Sequence, residues 1–193
     1  VTLTVTDAYG NMDSCVTTVT VIDLTPPVAS CRPDTIYLNA SGVATLAASD
    51  IDNGSSDNCS VSLSLSQTTF NCSSIGANTV TLTVRDAQGL TSICTTTVTV
   101  LDTLAPTMVC QSVTVNLDAS GNAIITTSDV NNGSSDNCGM TMSLSNTTFD
   151  CTNIGTNTVT LIGTDASGNI DSCTAVVTVV DATTPTVICK SAT

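Results

Sequence analysis

Three observations predict an all-β chain of tandem β-sandwich domains: a period of two in the apolar residues, a repeat of 79 residues, and 10 cysteines in a chain of 193. Composition points the same way. Thr, Val, Ser, Asn and Asp are abundant, and such residues lose most in helices and suit strands and turns. With 2 Phe, 2 Tyr and no Trp, the core is left to Val, Ile and Leu. Cysteines are expected to supply the closure that aromatic residues do not.

The repeat sets the domain organisation. Cys15, Cys94 and Cys173 stand 79 apart, and so do Cys31, Cys110 and Cys189. Cys59 is in phase with Cys138, and Cys72 with Cys151. Residues 24–102 align without a gap on 103–181, with 40 of 79 positions identical. Residues 1–23 match the end of that unit and 182–193 the start of another. Two whole repeats are therefore flanked by two partial ones, and Val1 is expected to lie inside a longer chain.

Within a repeat the elements follow in order. "DTIYL" and "VATLAAS" flank a turn at Asn39–Gly42, read as two strands. "SVSLSLS" alternates through Val61, Leu63 and Leu65. In "TVTLTVRDAQG", Val80, Leu82 and Val84 share one face while Thr79, Thr81 and Thr83 share the other. Asp86–Gly89 turns the chain, and "SICTTTVTVLD" returns with Val98 and Val100 inward. About seven short strands with turn signals between them describe a small sandwich of immunoglobulin-like type. The junctions "VIDLTPP", "VLDTLAPT" and "VVDATTPT" are short and proline-stiffened, so the domains are expected to stand end to end.

"FNCSSIGANTVTLTVRDAQGLTSICTTTVTVLD" resembles the hyalin repeat, an immunoglobulin-like module with an F-x-x-G-x-x-T-V-T pattern, a T-D-A-x-G-N turn and a following cysteine. "NGSSDNC" and "TTFDCTNIG" are similar to variants strung along giant bacterial surface adhesins, including those of gliding motility. The resemblance spans the chain and implies an extracellular, non-catalytic role in adhesion or spacing. In an immunoglobulin-like layout the first and last strands run side by side from the same end. That layout implies the pairs Cys31–Cys94 and Cys110–Cys173, and leaves Cys59–Cys72 and Cys138–Cys151. Cys15 and Cys189 would then find partners outside this stretch. By loop closure the long links would contribute roughly 4 kcal/mol each and the short ones roughly 3. A rival scheme joins Cys94 to Cys110 across the junction, at the cost of undoing roughly eight residues of strand at about 3.3 Å each.

The acidic loops "DIDNGSSDNCS" and "DVNNGSSDNCG" are expected to emerge, with the Asp86–Gly89 turn, at the end where the preceding linker enters. Asp23, Asp50, Asp52, Asp57 and Asp86 are candidate ligands in the first repeat, and Asp102, Asp129, Asn131, Asp136 and Asp165 in the second. Hard oxygens on a loop with a central glycine suit Ca²⁺, and crowded carboxylates repel one another without a cation. The competing reading is turn chemistry alone, because Asp and Asn cap their own backbone in such loops. Asp34-Thr35-Ile36 and Asp102-Thr103-Leu104 also resemble a bacterial O-glycosylation acceptor, which makes Thr35 and Thr103 candidate sites.

Charge and residue usage exclude whole classes of function. The net charge is −13 with Arg32, Arg85 and Lys190 as the only basic side chains, so nucleic acid and anionic membranes are unfavourable partners. No run of 18 apolar residues occurs, and no membrane-crossing helix is expected. Without His, and with no two cysteines closer than 13 residues, the thiols read as disulfides of an oxidising compartment, outside the cell or on its surface, rather than as zinc ligands. Without His and Glu there is no Ser–His triad and little acid–base capacity, so no enzyme is expected. The expected function is a structural stalk or filament segment of a repetitive adhesin, contacting neighbouring repeats and, in a filament, other copies. The alternative is a glycan- or protein-binding module. Tyr9 and Tyr37 are not repeated, so such a site would belong to one copy.

Overall fold

Most of the alternating sequence becomes strand in the computed structural model, which describes residues 1–190. The leading partial repeat forms a hairpin of β1 (Thr2–Thr6) and β2 (Met12–Val16). The first whole repeat holds β3 (Asp34–Tyr37), β4 (Val43–Thr45), α1 (Ala48–Ile51), β5 (Val61–Leu65), β6 (Thr69–Asn71), β7 (Gly76–Asp86) and β8 (Thr91–Leu101). The second repeats the order as β9 (Val113–Asn116), β10 (Asn122–Ile124), α2 (Thr127–Val130), β11 (Met140–Leu144), β12 (Thr148–Asp150), β13 (Gly155–Asp165) and β14 (Ile170–Val180).

Each whole repeat is sandwich-like, with a four-stranded and a two-stranded sheet. The orders are β3-β8-β7-β5 with β4-β6, and β11-β13-β14-β9 with β10-β12. The first strand of each repeat runs parallel to its last, Asp34 beside Val98 and Val113 beside Val177, while β5 with β7 and β13 with β14 pair antiparallel. By internal contacts the chain divides into two compact units. One comprises Val1–Arg32, Ala47–Ser66 and Val80–Thr96; the other comprises Pro33–Leu46, Gln67–Thr79 and the chain from Thr97 onward. The second unit thus unites the whole second repeat with the part of the first that carries Cys72.

The core of the second repeat gathers Leu117, Ile125, Val130, Phe149, Val159, Leu161, Val177 and Val179, all buried. The equivalent Leu38, Leu46, Ile51, Phe70, Val80, Leu82, Val98 and Val100 are buried in the first. One volume exchange distinguishes the copies. Gly163 leaves room for the Met108 sulfur, which lies where a Cβ would stand. The first repeat has Val84 and Ala29 at these positions, so volume moves from one partner to the other, as well-packed interiors require.

"VATLAAS" departs from its expected strand. β4 stops at Thr45, and the chain turns into α1 because the Asp50 carboxylate accepts from the Ala47 amide at 2.8 Å. Asp129 does the same for α2, accepting from the Thr126 amide at 2.7 Å and its hydroxyl at 2.8 Å. These single turns bury Ile51 and Val130 completely.

Disulfides join Cys31 to Cys94 and Cys110 to Cys173, with Cα atoms 6.0 and 5.8 Å apart. The expected short links Cys59–Cys72 and Cys138–Cys151 are corrected. Cys72 bonds Cys138, Cα to Cα 5.4 Å, and so ties one repeat to the next. A disulfide needs Cα atoms within about 7 Å. Cys72 meets this with Cys138 because its sulfur lies 3.5 Å from the Asn137 carbonyl oxygen and 3.8 Å from that of Gly42. Cys59 instead lies beside Asp23 and Asp57. Among the described residues, Cys15, Cys59, Cys151 and Cys189 are exposed thiols.

Phe149, 3% exposed, is one of the two phenylalanines that fill these cores. Phe149→Ala is expected to lower the unfolding free energy by about 3–5 kcal/mol in urea titration. Substituting the exposed Ile124 by Thr should move it by less than about 0.5 kcal/mol.

Candidate functional site

Two acidic clusters recur one repeat apart. In the second repeat, carboxylate oxygens of Asp102, Asp136 and Asp165 all lie within 4.8 Å of one another. In the first, Asp23 and Asp57 form the corresponding group with the Cys59 sulfur.

Each member is aimed by the backbone it caps. Asp165 ends β13 and closes the hairpin turn: one oxygen accepts from the amides of Ser167 and Asn169 at 2.9 and 2.8 Å, the other from the Asn169 side chain at 2.7 Å. The Asn169 amide group also reaches the Asp102 carbonyl at 3.2 Å. Asp102 follows β8, and its Oδ1 accepts from the Leu104 amide at 3.2 Å and from Asn137 Nδ2 at 3.1 Å. Asp136 Oδ2 accepts from the Cys138 amide at 2.9 Å. One nitrogen of Asn137 thus serves both Asp102 and, at 3.3 Å, the Asn39 carbonyl.

What these caps leave over tests whether a cation fits. Asp102 Oδ2, Asp136 Oδ1 and Asn137 Oδ1 are buried and receive no hydrogen bond. Asp23 Oδ2, Asp57 Oδ1 and Asp86 Oδ2 are stranded in the same way. Buried acceptors without donors are costly, and a hard cation that takes oxygen ligands satisfies several at once. Asp102 and Asp165 are 6% and 7% exposed, so solvent reaches them poorly. The oxygens fit Ca²⁺ in chemistry, as hard donors from carboxylates and an amide.

The remaining candidates serve the fold. Asp50 and Asp129 cap the one-turn helices, while Asp52 and Asn131 accept from the Ser55 and Ser134 amides at 3.0 Å within their turns. Asp86 Oδ1 holds its hairpin through the Gly89 and Leu90 amides at 2.6 and 2.7 Å. Thr35 and Thr103 are exposed. Sequence reasoning missed Asn137 and Asn169, whose amides bind the cluster together. The strict recurrence of Asp-Asn-Cys in both loops was the available signal for Asn137.

Local charge sets the titration of the site. Burial pushes the Asp165 carboxyl up, but hydrogen bonds from the Asn169 side chain and from the amides of Asn169, Ser167 and Gly168 together hold it below the usual carboxylate value. The Thr25 amide likewise holds Asp23 down against its burial. Cys59 is pushed up, first by its hydrogen bond to Asp23, then by burial and the charges of Asp23, Asp57 and Asp86.

A carboxyl depressed in the folded state stabilises fully above its unfolded pKa, near 3.9, and loses that contribution as pH falls through the folded value. In EDTA, stability is therefore expected to decline below about pH 4. Asp165→Asn should flatten the slope of the urea midpoint between about pH 2 and 5.

Residues 101–179, the end of β8 through most of β14, match the HYR domain family. No curated protein matches the chain in sequence. Among solved structures, the chain is similar to human mucin-like protocadherin EC1-2, at 14% identity and a TM-score of 0.41, over 81% of this chain and 98% of that one. Human protocadherin-24 EC1-2 gives 12% identity and a TM-score of 0.42 over 80% and 98%. Mouse clustered PcdhgC3 EC1-3 gives 17% and 0.37 over 94% and 76%. The second whole repeat is thus a HYR-like, immunoglobulin-like module.

Proposed function

We propose that this chain is a structural segment of an extracellular, repetitive adhesin, a stalk or filament that carries an adhesive part away from the cell. The disulfide between Cys72 and Cys138 carries this reading, because it fastens consecutive repeats to each other rather than finishing either one. The HYR match, the oxidised cysteines and the acidic surface support it. Like-charged segments resist clumping, which suits tandem modules held at high local concentration. Gliding motility and a bacterial surface array belong to the same reading through the likeness of the loop motifs. Thr35 and Thr103, both exposed, are its proposed O-glycan acceptors.

Calcium is the proposed stiffener of the junction. Asp102, Asp136 and Asp165 would hold it in the second repeat, with Asp23, Asp57 and Asp86 as the corresponding set in the first. Bound there, the ion would neutralise carboxylates that otherwise repel, and would tie the end of β8 to the following acidic loop. Ligand binding to the folded state alone raises stability by about 2.7 kcal/mol at a hundredfold excess over Kd.

Two measurements test the proposal. At fixed ionic strength, millimolar Ca²⁺ should raise the melting temperature above that in EDTA by several degrees, and Asp102→Asn with Asp136→Asn should abolish the rise. Superimposable melting curves for the unsubstituted chain would remove calcium from the proposal. Single-molecule pulling tests the stalk. Reducing all three disulfides should add roughly 400 Å of extension, because Cys31–Cys94 and Cys110–Cys173 each hold back 63 residues at about 3.3 Å each. An equal extension with and without reductant would show that the disulfides do not bear tension.

A further inference from the structure

Cys151 stands at a seat whose counterpart in the same molecule is already filled. The filled seat consists of the turn Asn39–Gly42, Cys72 and the linker from Asp102. Into it comes Asn137-Cys138: Cys138 bonds Cys72, and Asn137 donates to the Asn39 carbonyl and to Asp102. Gly42, at φ +70°, has no room for a side chain, since a Cβ would stand 2.7 Å from both the Cys72 sulfur and the Asn137 carbonyl oxygen.

Seventy-nine residues on, the same walls recur around open space. A cavity of about 480 Å³ is lined by Leu117, Asp118, Gly121, Cys151, Asp181 and Pro185, among others. Gly121 has φ +75°, and its Cβ position lies 2.8 Å from the Cys151 sulfur. That sulfur lies 3.7 Å from the Gly121 carbonyl, against 3.8 Å for Cys72 and Gly42. The seat is formed and its thiol is exposed.

We propose that Cys151 is the attachment point for the Asn-Gly-Ser-Ser-Asp-Asn-Cys loop of a further repeat that follows Asp181 in the same polypeptide. The incoming asparagine donates to the Asp118 carbonyl and to the Asp181 carboxylate, as Asn137 does to Asn39 and Asp102. The incoming cysteine forms a disulfide with Cys151. The occupant is a following repeat rather than a second copy of the chain because the linker Asp181–Pro185 is itself one wall of the seat. In a second copy, Asp23 already lies against the loop that carries Cys59 and would compete for that wall.

Disulfide formation needs an oxidant, here oxidised glutathione. One thiolate attacks its S–S bond and releases one glutathione thiol. The second cysteine then attacks the mixed disulfide and releases the other, so two protein thiols become one disulfide and two glutathione thiols form.

The test is the full chain with a second copy of Thr103–Asp181 inserted after Asp181, refolded in a glutathione buffer and mapped by mass spectrometry. The expected result is a peptide joining Cys151 to the inserted copy of Cys138, in a monomeric product. Asp181→Ala, which touches no cysteine, should lower the fraction of Cys151 so paired roughly fivefold at a fixed glutathione ratio. Formation of the inserted Cys110–Cys173 bond reports that the added repeat has folded. If that bond forms while Cys151 stays open to alkylation, or if the inserted Cys138 pairs within its own repeat, the proposal is overturned. Covalent oligomers joined through Cys59 and Cys151 would overturn it in favour of a second copy.

Discussion

Closure of a repeat depends on four residues of parallel pairing between its first and last strands. In the second repeat these are Val113–Asn116 against the end of β14. Such a contact joins segments far apart in sequence, so its ordering entropy is high and its own hydrogen bonds are few. With a core of aliphatic side chains around a single Phe, burial alone leaves little margin. Cys110–Cys173, spanning 63 residues just ahead of the paired segment, restricts the unfolded chain and brings the two strands together. Once they pair, Leu117, Val177 and Val179 are buried against Phe149 and the rest of that cluster.

Closing one repeat also places the polar groups of the next junction. Asp102 is the first residue beyond β8, so its position follows from the pairing of Asp34–Tyr37 with that strand. Held there, it meets Asn137 of the following acidic loop, while Asn169 reaches its carbonyl from the hairpin turn. Asp102 and Asp136 each satisfy local amides with one oxygen, which leaves Asp102 Oδ2 and Asp136 Oδ1 without a donor. In the proposed cation site, turn chemistry and ion binding would therefore use the same residues, with opposite oxygens of Asp102 and Asp136 assigned to the two tasks.

Much of this was legible in the sequence, and the exceptions have physical causes. Val80, Leu82 and Val84 show their strand because the period of two survives over eleven residues of β7. Ala48–Ile51 hides its helix because one turn shows no period, and its cause is the Asp50 carboxylate folding back on Ala47. Asp102, Asp136 and Asp165 could be placed at one end from hairpin logic, whereas the diversion of Asp129 and Asn131 into caps depends on hydrogen bonds too local for spacing to reveal. The partner of Cys72 was hidden for another reason. In a strict repeat, Cys59 and Cys138 are equivalent by position, so spacing alone does not distinguish a bond within a repeat from one to its neighbour. Only the seat at Gly42, which admits Asn137, makes the distinction.

The bond between Cys72 and Cys138 overlaps the two within-repeat links, and the overlap bears on backbone cleavage. A protease cut between Cys31 and Cys94, or between Cys110 and Cys173, falls inside a closed loop and leaves the halves joined. The connecting stretch from Cys94 to Cys110 lies outside both loops. It includes the exposed residues Thr103, Leu104 and Ala105, the kind of segment that proteases enter most readily. That stretch lies wholly within the loop closed by Cys72 and Cys138. Every peptide bond from Cys31 to Cys173 is thus bypassed by at least one disulfide, and a single nick anywhere in this span leaves the chain in one covalent piece.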